Sequence, residues 1–171
     1  MSGSNTIGSR FASELAYEGV SMLKCLERLP SEKMDWRPHD KSMTLARLAG
    51  HLVEMIDWIP FILETDGINF ADYKNTPKSY SDGGELAADL RTVLEKADAV
   101  LRKASDEELT GNWIMKAGDV TLSESTRAIS IRSFVFNHVF HHRGQLSVYM
   151  RLLDIPVPSI YGPSADEGAS A

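Results

Sequence analysis

Two histidines, His138 and His142, lie four residues apart in a segment with the apolar periodicity of a helix. This spacing places both imidazoles on one helical face, one turn apart, as a divalent metal requires of two ligands on one element. His51, far upstream, also lies on a helix-like apolar pattern. Three histidines from two helices would form an open metal site.

The histidine pair alone is a weak signal, because five histidines produce such a spacing by chance in roughly one such chain in seven. The alternative is two partly buried histidines bonded to polar neighbours. His51 favours the metal, because it falls between Leu48 and Met55 on the apolar stripe of its own helix. A buried neutral imidazole needs partners for both ring nitrogens, and a shared ion would serve all three rings.

Other side chains near these stripes are candidates for supporting roles. Gln145, one turn beyond His142, is the candidate for holding a ligand imidazole or a metal-bound water. Trp58 and Tyr149 are candidates for pocket walls, although Tyr149 also fits a core residue with a polar tip. No carboxylate falls squarely on either stripe, so no catalytic residue is assigned.

Several further polar residues are expected to lie outside the site. By periodicity His141 points off the ligand face, and His39 lies in a loop. Asn137, Glu54 and Arg143 flank the stripes, and we expect each to be solvated or to cap a helix.

Other kinds of reactive site are disfavoured. A di-iron bundle needs inward glutamates on every helix, whereas Glu14, Glu18 and Asp89 lie off the apolar stripes of the first and third helices. Cys25 is expected to be a buried, inert thiol. The chain has no Gly-rich phosphate loop, no Cys-x-x-Cys and no Gly-x-Ser-x-Gly.

Composition predicts a single globular domain over residues 1–171, with 43% hydrophobic and 25% charged residues. A net charge of −6 disfavours nucleic acids and anionic membranes as partners. No stretch approaches the roughly 20 apolar residues of a membrane span, and the first five residues do not resemble a signal peptide. A single cysteine fits a reducing cytoplasm, where we expect the protein to act on a small molecule.

Apolar periodicity predicts an all-α fold, a four-helix bundle with a long connection between helices 2 and 3. The predicted helices run from about Ile7 to Leu29, from Ser42 or Thr44 to about Gly67, from Asp82 to about residue 104, and from about residues 125–130 to Leu153. Pro60 is expected to kink the second helix or split off its last turn.

The connecting segments have their own predictions. Residues 69–80 form a polar connector, and residues 105–108 begin a further helical turn. Residues 112–123 lack helical periodicity, with a turn at 116–120 that two short strands would flank. The tail from about residue 154 is expected to be irregular and frayed at its end.

A resemblance to DinB-like (damage-inducible) proteins is carried by two segments. The first is the fourth-helix run NHVFHHRGQLSVYMRLLDIPVPSIYGPSADE. The second is MDWRPHDKSMTLARLAGHLVEM, in which a Trp-x-Pro loop leads into the helix that carries His51. The resemblance spans most of the chain in order and spacing.

The resemblance implies an antiparallel-type four-helix bundle that binds a divalent metal through His51, His138 and His142 near one end. It also implies a homodimer. Similar proteins include thiol-dependent transferases and isomerases, in which the metal activates the thiol of a low-molecular-weight cofactor.

The favoured hypothesis is therefore a metal-dependent enzyme, with zinc or nickel activating water or a low-molecular-weight thiol for transfer or hydrolysis on a small electrophilic molecule. One alternative is a non-catalytic, metal-stabilised binding or stress protein. Another is a metal-free bundle that acts as a dimerisation module.

Overall fold

The computed structural model describes residues 5–168, and their fold is mostly helical with a small three-stranded sheet. The helices before the hairpin are α1 (Ile7–Leu26), α2 (Leu45–Glu64), α3 (Gly83–Lys103) and α4 (Asp106–Thr110). The strands are β1 (Gly67–Asn69), β2 (Asn112–Ala117) and β3 (Val120–Thr126). The last helical stretch consists of α5 (Arg127–Ser130), a π-helical segment (Ile131–Phe136) and α6 (Asn137–Leu152). Helices α1 and α2 pack on α3, and α2 packs on α6.

Helix starts follow the capping residues of the sequence. The Thr44 hydroxyl accepts a hydrogen bond from the Arg47 backbone amide at 3.2 Å, so Thr44 rather than Ser42 caps α2. The Asp82 carboxylate accepts from the Glu85 amide at 2.9 Å, which confirms the predicted start of α3. Ser105 and the glutamate three residues later form a complete capping box at the start of α4.

Two helix ends differ from the prediction. Helix α1 ends at Leu26, three residues before the predicted end at Leu29, with a short turn following. Helix α2 continues through Pro60 to Glu64 rather than to Gly67. Burial of the flanking Ile59 and Ile62 outweighs the backbone hydrogen bond that the proline removes.

The all-α prediction is wrong in one respect, because a sheet lies beside the helices. The predicted strand pair is present as β2 and β3 in antiparallel pairing. Strand β1 was not predicted; it pairs parallel to β2 with Gly67 opposite Ile114. A Cβ atom at Gly67 would lie 2.2 Å from the Ile114 carbonyl oxygen, so this strand pairing needs glycine there.

The π-helical segment changes which residues of α6 face the core. A π turn holds more residues than an α-helical turn, so it shifts the phase of the residues that follow it. The predicted inward stripe continued through Gln145 and Tyr149, but the fully buried apolar positions are Val139, Leu146 and Met150. Gln145 is exposed and Tyr149 is half-buried, so the predicted side chains lie at the edge of the core.

The tail after α6 is irregular, as predicted, but ion pairs hold it against the helices. Asp166 accepts from Arg151 at 2.6 Å, and Glu167 pairs with Arg28 in the turn after α1. The extreme C-terminal end, predicted to fray, lies outside the described residues. Within residues 5–168 no helix is long and apolar enough to cross a bilayer.

Two helical glycines predict opposite responses to alanine. Nothing lies within 4 Å of a Cβ built at Gly144, so Gly144→Ala is expected to raise the free energy of unfolding by about 0.5–1 kcal/mol. A Cβ at Gly50 would meet the Tyr80 ring at 3.0 Å, and the Tyr80 hydroxyl is fixed to Asp89 at 2.5 Å. Gly50→Ala is therefore expected to destabilise the protein. Urea unfolding of both variants measures this, and equal gains in the two would contradict the packing seen at Gly50.

Candidate metal centre

Three histidine rings from two helices converge between α2 and α6. The ring centroid of His51 lies 5.2 Å from that of His138 and 4.8 Å from that of His142. The His138 and His142 rings are 4.6 Å apart. One nitrogen from each ring can be chosen so that all three atoms lie within 4.8 Å of one another. The structure thus brings together the three residues that the sequence placed on separate helices.

A carboxylate orients the His51 ring. Its Nδ1 lies 3.2 Å from Oε2 of Glu54, three residues later on α2. An ionised carboxylate only accepts hydrogen bonds, so Nδ1 carries the proton and the Nε2 lone pair stays free. Arg47 pairs with the same Glu54 oxygen at 3.0 Å, which holds the carboxylate in place.

An amide orients the His142 ring in the same way. Its Nδ1 lies 2.7 Å from Oε1 of Gln145, the residue that the sequence singled out as a supporting group. Donation from Nδ1 to the amide oxygen again leaves Nε2 as a free lone pair. Two of the three rings are therefore held by a side chain three residues later on their own helix.

Burial favours the uncharged form of His138 and His142. Desolvation lowers the pKa of His142 to about 4, and the neighbouring His51 and His138 add to this, while the Gln145 bond opposes it. Burial also lowers the pKa of His138, with His51 contributing and a hydrogen bond to the Phe134 backbone opposing. At neutral pH these two imidazoles are unprotonated, which is the form that binds metals.

Aromatic side chains border the cluster on one side. The Phe134 ring lies 6.1 Å from His138, and the Trp58 ring lies 5.1 Å from Phe134. Trp58 also packs on Phe61 and on Tyr73 of the connector after β1. A cavity of about 140 Å³ opens here, with the lining residues Glu54, Asp57, Trp58, Phe61, Tyr73 and Asn75.

The other sequence candidates lie outside the group of three histidines. The Tyr149 hydroxyl donates to the Met43 carbonyl oxygen at 3.3 Å, and its ring packs on Trp36, so it meets the loop before α2. His141 is exposed beside His142, with 5.0 Å between ring centroids. His39 is exposed in its loop, where Nδ1 accepts from the Lys41 amide.

Sequence reasoning missed two residues that the structure places in buried polar contacts. Glu54 was expected to be solvated, but it is largely buried and supports His51. The i,i+3 spacing from His51 was the available signal. Arg143 was also expected to be solvated, yet it is 2% exposed and pairs with Glu18 and Ser21 of α1. Glu18 is buried too, because Arg143 supplies its counter-charge across the helix interface.

The lone cysteine is not a candidate nucleophile. Cys25 is fully buried in the core, and burial raises the pKa of its thiol to about 11. A thiol in that state is almost wholly protonated at neutral pH and unreactive, as the sequence predicted.

The lowered pKa of His142 makes the metal-free protein sensitive to acid. In the unfolded chain this imidazole titrates near 6.5, but in the folded chain it titrates at about 4. Its stabilising contribution is complete above pH 6.5 and is lost as the pH falls towards 4, because the unfolded state then binds the proton more readily. Urea unfolding of metal-free protein between pH 7 and pH 5 should show this loss. His142→Gln should flatten the dependence while His39→Gln keeps it; identical slopes in all three proteins would contradict the assignment.

Comparisons with known proteins agree with this architecture. A sequence model of the DinB family matches residues 1–170. YrdA of Bacillus subtilis (strain 168) is 29% identical over 166 residues, covering 93% of this chain and 90% of that protein. The crystal structure of a DinB-like protein from Bacillus cereus ATCC 10987 matches with a TM-score of 0.66 at 26% identity, over 88% of this chain and 95% of that one.

A second solved structure supports the fold alone. It is the DinB-like protein YjoA from Bacillus subtilis, with a TM-score of 0.69 at 18% identity, covering 88% of this chain and 97% of that one. The family match extends over almost the entire length and includes both histidine-bearing helices. This chain belongs to the DinB family.

Proposed function

We propose that the protein binds a divalent metal ion through His51, His138 and His142 and is a metal-dependent enzyme. The observation that carries the proposal is the convergence of three imidazoles whose ligating atoms lie within 4.8 Å of one another. Two of the rings have Nδ1 occupied by Glu54 or Gln145, which leaves Nε2 available. The donor set fits a metal ion, because it consists of oriented imidazoles with free lone pairs.

The number and type of ligands favour a catalytic over a structural ion. Among residues 5–168, the group of side chains here that could hold a metal consists of His51, His138 and His142. Structural zinc sites are closed by four protein ligands, whereas three histidines leave positions for water, a thiolate or a substrate. Imidazole ligation suits zinc and nickel equally well, and either is compatible with the proposal.

The ion, when bound, would lower the pKa of a coordinated water to about 7 or stabilise a thiolate. The protein's own residues supply orientation and shelter. Glu54 and Gln145 hold two rings in the metal-binding tautomer. Trp58 and Phe134 shield the side of the cluster next to His138 from water. The proposed reaction is transfer of a low-molecular-weight thiol to a small electrophile, or hydrolysis of that electrophile.

Metal content tests the ligand set. Untagged wild-type protein and His141→Ala should each contain a stoichiometric divalent ion by elemental analysis, because the exposed His141 lies outside the set. His138→Ala should lose tight binding, since two imidazoles alone hold an ion weakly. Full metal content in His138→Ala would remove that residue from the ligands, and loss in His141→Ala would mean that the ligand face is different.

Turnover tests the catalytic part of the proposal. With zinc or nickel restored, wild-type protein should consume a low-molecular-weight thiol in the presence of a small alkylating electrophile, and His138→Ala should not. A colorimetric assay of free thiol over a panel of thiols, with a parallel assay for hydrolysis, measures this. If no turnover is found and chelation lowers the melting temperature by a large amount, the result would instead support a structural ion that holds α2 against α6.

A further inference from the structure

The cavity beside the histidine cluster is lined by aromatic rings and carboxylates. Three aromatic rings, Trp58, Phe61 and Tyr73, form one part of its wall, with ring centroids 5.3–6.4 Å apart. Two carboxylates, Glu54 and Asp57, and one amide complete it. No lysine or arginine lines this cavity in the part of the chain that the structure describes. Aromatic faces and carboxylates share a preference for cations.

The positive partners of the two carboxylates lie outside the cavity lining. Glu54 pairs with Arg47, and Asp57 pairs with Lys96 at 2.9 Å. The Asp57–Lys96 pair is half exposed on both sides, so solvent screens it and it competes weakly with another cation. Both carboxylates therefore line the cavity, whereas neither of their positive partners does.

One carboxylate oxygen at this site has no hydrogen-bond donor. Oε2 of Glu54 accepts from both His51 and Arg47, whereas Glu54 Oε1 and Arg47 Nη1 are both buried without a partner. Buried polar atoms without partners are costly, so the polar contacts around Glu54 are incompletely satisfied. A protonated amine supplies donors and no acceptor, so it suits the two carboxylates that line the cavity.

We propose that the cavity lined by Glu54, Asp57, Trp58, Phe61 and Tyr73 binds the protonated amine of a small substrate. As a statement about the substrate's class this rests on the proposed metal-dependent function, since Glu54 lines the cavity and also contacts His51. The cavity of 140 Å³ has room for roughly four to five water-sized groups. It therefore fits an alkylammonium head rather than a large ring system.

Binding of simple probes to metal-free protein tests the proposal without depending on the ion. The probes are n-butylammonium, 1-butanol and butyrate, which have similar size but positive, zero and negative charge. Calorimetric titration at pH 7 should show butylammonium binding most tightly and butyrate least. Equal or tighter binding of butanol would show an apolar pocket without charge selection and would overturn the proposal, as would absence of butylammonium binding.

Variants locate the binding site. Tyr73→Leu removes one ring face and should weaken butylammonium about threefold. Its control, Tyr17→Leu, alters an exposed tyrosine of α1 outside this cavity and should change nothing. Asp57→Asn should also weaken binding, while Asp98→Asn, which breaks another exposed ion pair, should not. Equal affinities in each variant and its control would contradict the proposed location.

The outcomes separate this proposal from the proposed function. If Tyr73→Leu fails to fold, the comparison of Asp57→Asn with its control Asp98→Asn still decides the location of the binding site. Suppose that the untagged protein contains no divalent ion by elemental analysis but binds amines with charge selectivity. This result would refute the metal centre and support the amine pocket. A stoichiometric ion in a protein that does not bind butylammonium would support the metal centre and refute the amine pocket.

Discussion

The site depends on one packing constraint, the contact between α2 and α6 that sets three imidazoles against one another. A neutral imidazole removed from water must find a partner for each nitrogen, or it costs free energy. Glu54 and Gln145 satisfy Nδ1 of His51 and His142 from the same helices that carry those rings. Ring nitrogens of all three histidines come within 4.8 Å of one another across the helix interface, where the proposed metal ion would serve as their common partner.

This arrangement is supported by a polar layer that reaches from α2 to the connector and α3. Glu54 links His51 to Arg47, and burial together with the Asp89 hydrogen bond raises the pKa of Tyr80, which keeps its hydroxyl a donor. The Tyr80 ring packs directly on Gly50, the residue before His51. The connector thus supports the helix that carries a candidate ligand, and through Tyr73 it also walls the neighbouring cavity. The proposed metal centre and the proposed amine pocket therefore share one set of supporting residues.

Much of the candidate site could be predicted from local patterns, because a helix of known phase places residues i, i+3 and i+4 together. That rule put His138 and His142 on one face and Gln145 beside them. The same rule placed Glu54 next to His51, but the sequence alone did not show that this side chain turns inward. For Arg143 the rule gave no partner at all, since its counter-charge, Glu18, lies on a helix far away in sequence. Long-range ion pairs require the relative rotation of two helices, which is a property of the packed core.

By itself the sequence determined the features that a few neighbouring residues control: the cap at Asp82, the hairpin around residues 116–120 and the helical periodicity of both histidine segments. Only the tertiary structure decided the pairing of β1 with β2, the phase shift of the π-helical segment and the convergence of the rings. The reason is that capping and turn energies arise within one segment, whereas these features depend on contacts between segments distant in the chain. These contacts between distant segments contribute free energy of stabilisation only once the whole core has assembled.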